Sequence, residues 1–232
     1  MSGVEDGLSW LTPLVCPVAM FTTTDEYPHP GHSDEWALVV SDGAGFGLVT
    51  IQRRYANRRA YWWACGTVDS GVLHVLDTEV PPRADPLLIK GAQLWAEMVC
   101  EDPMGQWTVG NETIAVALES PTDAIGAAYG DPTPVASDLE FYATSTPEAI
   151  TAGYRQTGCV HGDVEVAGRA MTTLTEATAL RWHRWVPHGE AFGPVPVDRA
   201  RAHVGLRVLA QLDDDVIDLV MTPSGWCRRD GN

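Results

Sequence analysis

Lysine is nearly missing: Lys90 is the only one in 232 residues, and the remaining 14 of the 15 basic side chains are arginines. Chemistry that needs a lysine nucleophile, or a lysine gripping a phosphate, has a single candidate. Basic charge is scarce altogether. Fifteen cations face 31 carboxylates, for a formal charge of −16 and a pI of about 4.6. Such a field repels phosphate backbones and anionic membrane surfaces, which argues against nucleic acid as a partner.

Other signals are missing too. The five cysteines (Cys16, Cys65, Cys100, Cys159 and Cys227) are odd in number, far apart and without C-x-x-C spacing, so neither a disulfide framework nor a zinc knuckle is indicated. Met1 to Asp6 lacks the positive start of a signal peptide, and the apolar stretch Leu11 to Phe21 is short and broken by Pro13 and Pro17. A cytoplasmic protein without membrane insertion is the expectation. No G-x-S-x-G elbow, H-E-x-x-H helix or phosphate-cradling loop occurs. Gly43-Ala44-Gly45-Phe46-Gly47 is followed by strand-like sequence, whereas a dinucleotide loop must open a helix. His29, His32, Asp34 and Glu35 put four potential metal ligands within seven residues, but a Pro-Gly loop does not by itself fix tetrahedral geometry. They read as a polar, proline-stiffened loop. The expectation is therefore no cofactor and no metal.

Helical periodicity is also rare, while short apolar or alternating runs ended by Gly, Asp, Pro or Ser recur throughout. Glu35–Val40, Phe46–Gln52, Tyr61–Val68 and Val72–Val80 form a meander with turns at Ser41–Gly45 and Asp69-Ser70-Gly71. Leu88–Cys100 and Thr108–Glu119 follow. A Pro-, Gly- and Ala-rich passage then reads as a connection, dividing residues 1–122 from 138–232 by a linker at 123–137. Beyond it come Leu139–Thr144, Thr157–Val166, Ala170–Trp185, Ala202–Leu212 and Val216–Met221. Helical turns are expected only at Thr146–Ala152 and Asp198–Ala202. The fold class is all-β: an antiparallel barrel or sandwich of two abutting units, large enough to bury roughly 70–75% of its unfolded surface.

Nine tryptophans exceed what an ordinary core of this size uses, which favours an apolar, aromatic-walled cavity. Alternation puts Trp62 and Trp63 on opposite strand faces, and separates Trp182 with Arg184 from His183 with Trp185. His183 beside tryptophan on a buried face can exchange a proton near neutrality. Glu140, Tyr154 and Gln156, with His183, are the catalytic candidates. Trp36, Gln52, Trp62, Trp63 and Trp95 are candidate substrate-binding residues in the first half. Tyr142, His161, Trp182 and Trp185 play that part in the second.

The runs Asp138-Leu139-Glu140-Phe141, Tyr154 to Gly168 and Arg181-Trp182-His183-Arg184-Trp185 resemble the lipocalin-like hydroxyneurosporene synthase (carotenoid hydratase) superfamily. Asp34-Glu35-Trp36, the Gly45–Gln52 strand and Trp107 extend the resemblance into the first half. Val186 stands where that family has glycine. The resemblance implies lipocalin-like β units around a ligand cavity. It also implies either hydration of isoprenoid double bonds or cofactor-free pericyclic cyclisation of polyketide chains. The leading expectation is a cyclase of Diels–Alder type acting on a linear polyene held in the aromatic pocket. The alternatives are a hydratase with Glu140 as acid, and a carrier of a lipophilic small molecule. The expected partner is thus a lipophilic substrate, with a homodimer possible through strand edges.

Overall fold

The computed structural model describes residues 21–69, 73–126, 128–200, 205–222 and 225–229. Cys16, the N-terminal apolar stretch before Phe21, the turn residues Ser70 and Gly71, and the Ala202 start of one expected strand lie outside them.

Strands dominate, paired antiparallel throughout the barrel. β1 (His32–Ser41), β2 (Phe46–Arg54), β3 (Arg59–Thr67) and β4 (Leu73–Val80) form the expected meander. β5 (Leu88–Gly91), β6 (Leu94–Asp102), β7 (Gln106–Leu118), β8 (Asp131–Ala143), β9 (Glu148–Ile150), β10 (Gly153–Val166) and β11 (Thr172–Pro187) follow. Their order in the sheet is β4-β3-β2-β1-β11-β10-β8-β7-β6-β5, with β9 added beside β10. Two pairings close the ring: β1 runs against β11 along its whole length, and Leu73–Val75 of β4 pairs with Val116–Leu118 of β7. The result is an up-and-down antiparallel barrel.

Strand alternation sorts the side chains into two cores. Trp36, Leu38, Tyr61, Trp63, Trp107 and Phe141 are among those that pack inside the barrel. Ala37, Val39, Ile51, Trp62 and Trp182 point outward, yet they too are buried. They are covered by a second sheet of β12 (Arg199–Ala200), β13 (Arg207–Leu212), β14 (Asp215–Thr222) and β15 (Gly225–Arg229). Gly47 makes this close packing possible, since a Cβ there would stand 2.5 Å from the Trp226 ring and 2.7 Å from Met221 Sδ. The Trp226 indole N–H donates to the Val40 carbonyl at 2.9 Å, tying the second sheet to the barrel wall.

Several expectations differ from the structure. The stretch 123–137 contains the start of β8, so sheet pairing runs through it and both halves of the chain build one barrel. Pro132 and Pro134 fall where β8 pairs with β7 alone, before β10 joins it at Val135, which is where a strand tolerates proline. Glu148–Ile150 and Arg199–Ala200 are short strands, not helical turns, because each finds a neighbouring strand to pair with. Leu88–Cys100 is a hairpin, turned at Gln93 in the left-handed region (φ 55°). Among the described residues no helix is long and apolar enough to cross a membrane.

Candidate functional site

The barrel mouth flanked by His32, Arg54, Arg59 and Pro187 is closed by a 3-10 turn, Thr23–Glu26. The turn is locally fixed: Asp25 Oδ2 accepts from the Thr22 N–H at 2.7 Å and from its hydroxyl at 3.0 Å. This aims Glu26 into the barrel, where it is fully buried. Arg181 grips its carboxylate with two hydrogen bonds of 2.9 Å. The Met104 N–H donates to it at 2.6 Å, Trp107 Nε1 at 3.4 Å, and the Tyr154 hydroxyl also donates. Gln156 accepts from Arg181 at 2.8 Å and donates to the carbonyls of Met104 and Ser145. Burial pushes the Glu26 carboxyl up, but the Arg181 charge and these hydrogen bonds outweigh it and hold it below the usual range. Burial and the neighbouring carboxylate raise the Tyr154 phenol, so it stays a donor.

A second cluster lies at the rim. His183 Nδ1 is 2.6 Å from the Asp25 carbonyl, and its Nε2 is 3.2 Å from Asp34 Oδ1. His29 Nδ1 reaches the same oxygen at 3.0 Å, while Arg54 holds Oδ2 at 2.5 and 2.9 Å. Trp36 stacks on His183 and Trp185 stacks on His29, with ring centroids 4.3 and 3.9 Å apart. Burial lowers the affinity of His183 for a second proton, against the pull of Asp34.

The third cluster is on the outer wall. Glu35 accepts from Arg53 at 2.7 Å, from Trp182 Nε1 at 2.6 Å and from Arg184 at 2.8 and 2.5 Å. Arg184 also donates to the carbonyls of Gly193 and Pro194, fastening the 190–197 segment to the barrel. Beside it lies a hollow of about 710 Å³ lined by Ile150, Arg155, Arg184, Phe192, Pro194 and Val197, outside the barrel and with Phe192 its one aromatic among the described residues.

Of the catalytic candidates, Tyr154, Gln156 and His183 converge inside the mouth. Glu140 does not: it sits exposed on the outer face of β8, accepting from Tyr142 at 2.7 Å, because alternation turns it away from Leu139 and Phe141. Tyr142 and His161 share that outer face, with rings 5.8 Å apart. Trp95 is also outside, lying over Gly110. Trp62 and Trp182 fill the seam beneath the second sheet. Trp36, Gln52, Trp63 and Trp185 remain on the inner side. Arg181 was within reach of sequence reasoning, since it shares a face with His183 two residues away. Glu26 was not, as its contact with Arg181 spans 155 residues.

Deeper in the barrel, on facing positions of β2, β3 and β7, buried polar atoms lack a partner among the described residues: Thr50 Oγ1, Gln52 Oε1, Trp63 Nε1 and Asn111 Nδ2. Tyr61 lies among them, donating to Asn111 Oδ1 at 3.2 Å and pairing across the strands with Gln52. Each such buried orphan costs roughly 1–3 kcal/mol unless a water or a ligand satisfies it.

The chain matches no protein-family profile, no curated protein and no solved structure.

Proposed function

We propose that the barrel receives a small, conjugated, largely apolar molecule carrying at least one polar atom, and promotes its cyclisation without a cofactor. The reading extends the resemblance to the lipocalin-like hydroxyneurosporene synthase superfamily. The observation that carries it is the group of inward atoms without a partner among the described residues, on an aromatic wall: two donors (Trp63 and Asn111), one acceptor (Gln52) and the Thr50 hydroxyl. Folding a flexible polyene so that its reacting carbons meet is worth roughly 7–11 kcal/mol in favourable systems, more than an isolated acid or base supplies. A carbonyl accepting from Trp63 and Asn111 would draw electron density as the ring forms, and those bonds would strengthen toward the transition state. Trp63 and Asn111 take the role expected of Tyr154, Gln156 and His183, whose hydrogen bonds are already used by Glu26, Met104, Ser145, Asp25 and Asp34.

Hydration is less well supported. It needs a buried neutral carboxyl, whereas Glu140 is exposed and Glu26 is held ionised by Arg181. Binding without turnover is the second reading, favoured by the engagement of Tyr154, Gln156 and His183 with protein partners at the mouth. Incubating the protein with linear polyenes bearing a conjugated carbonyl separates the readings. A cyclic isomer of unchanged mass, lost in Asn111→Leu and Trp63→Phe, is the expected product. Saturable binding with no new product makes the protein a carrier, and neither binding nor product refutes both.

A further inference from the structure

His29, Asp34 and His183 place one ligand atom each, Nδ1, Oδ1 and Nε2, within 4.8 Å of one another at the rim of the barrel. We propose that these three residues bind a divalent transition-metal ion, zinc by preference, which clasps the segment carrying Glu26 against the mouth.

At 2.6 Å from the Asp25 carbonyl, His183 Nδ1 must carry the proton of a neutral ring, which leaves the bare Nε2 facing Asp34 Oδ1. Both atoms present lone pairs across 3.2 Å. His29 differs: its Nδ1, 3.0 Å from Asp34 Oδ1, can carry the proton of a neutral ring and donate to that oxygen, while Nε2 lies 3.6 Å from Asp25 Oδ1, beyond hydrogen-bond reach. One contact is left over: the His183 Nε2 and Asp34 Oδ1 lone pairs need either a second proton on His183 or a cation between them. A metal ion between the three ligand atoms supplies that cation.

Geometry and surroundings agree. Bonds of about 2.0–2.1 Å in a tetrahedral site set ligand atoms about 3.3 Å apart, close to the two short separations here. The Asp25 carbonyl accepts from His183 Nδ1 as an outer partner, which is how metal-binding histidines are oriented, and the Asp25 carboxylate stands 3.6 Å from His29 Nε2. Arg54 occupies only Oδ2 of Asp34; Oδ1 accepts the His29 backbone N–H at 3.0 Å and turns its remaining lone pair to the site. Imidazole and carboxylate donors suit zinc and its neighbours. His32, adjacent in sequence, is not part of the set; its Nδ1 is 2.9 Å from the Pro30 carbonyl. The ligands come from three elements: the mouth segment, β1 and β11. A bound ion would therefore pin residues 22–29 to the wall.

Metal-free protein titrated with zinc chloride by calorimetry should bind one equivalent, and cobalt should give the visible spectrum of a low-coordinate nitrogen–oxygen site. His29→Ala, chosen because it is partly exposed and leaves the barrel interior untouched, should weaken binding at least 100-fold. Asp25→Ala, which keeps the carbonyl facing His183 but removes the carboxylate that fixes the turn on Thr22, should weaken it less than His29→Ala does, and His32→Ala should leave it unchanged. Protection of residues 22–29 from hydrogen exchange should rise with zinc in wild type and not in His29→Ala. Absence of stoichiometric binding in wild type, or binding that survives His29→Ala or disappears in His32→Ala, overturns the proposal.

Discussion

β1, β2 and β3 are buried at almost every position, whereas β8 and β10 alternate between buried and exposed residues. The cause is coverage. One wall of the barrel lies beneath the second sheet and has a core on each face; the opposite wall has the barrel core on one side only. On the doubly covered wall an outward position is therefore as demanding as an inward one, and even its charges, Glu35 and Arg53, are buried together. On the other wall the outward positions carry Glu140, Tyr142 and His161, which the fold does not need. A surface residue there resembled a site residue in sequence because polarity alone does not report which way a strand faces.

The contrast can be broken by mutation, and the largest effect should come from Glu35→Ala. Burial would raise this carboxyl, but the charges of Arg184 and Arg53, with the Trp182 hydrogen bond, hold it down to about 2. Its removal strands two buried guanidinium groups, and urea unfolding should show a loss of about 3–5 kcal/mol. Next comes Trp62→Ala, which opens a cavity beneath the second sheet and should cost roughly 3 kcal/mol in the same assay. Trp63→Ala should lose a similar amount but also abolish binding of apolar ligands, which Trp62→Ala should leave intact. Equal ligand defects would erase the distinction between the faces.

A smaller effect, of opposite sign, is expected at Asp77. Burial, helped by Glu79, raises its carboxyl from 3.8 to about 6. Between those values the folded chain keeps a proton that the unfolded chain has released. The resulting stability is fully present below about pH 4 and is lost as pH rises through 6. Asp77→Asn should therefore be more stable than wild type by about 1 kcal/mol at pH 8, after discounting for partial exposure, and equal to it near pH 4. The smallest effect belongs to the singly covered wall: Glu140→Gln should change stability by less than about 0.5 kcal/mol and leave ligand binding and turnover unaltered.

Much of the barrel was legible in the sequence, because a period of two with glycine, proline and aspartate punctuation is a local property. The orientations within Tyr61-Trp62-Trp63 and Arg181 to Trp185 follow from the same period. What closes the barrel was not legible. The pairing of β1 with β11, the packing of Trp226 on Gly47 and the burial of Glu26 against Arg181 join residues more than 100 positions apart, and no spacing rule encodes them. The mouth illustrates this best. His29 and Asp34 were visible as potential ligands in a loop, but the residue that joins them is His183 on a distant strand, not their neighbours His32 and Glu35.

The most direct test of an occupied barrel is a fluorescence titration with a conjugated tetraene fatty acid, exciting the inward tryptophans and following transfer to the polyene. Saturable quenching at one equivalent, weakened about tenfold when Asn111→Leu removes a hydrogen bond worth about 1.4 kcal/mol, is the expected result. Quenching that never saturates, or an affinity indifferent to Asn111, would contradict it.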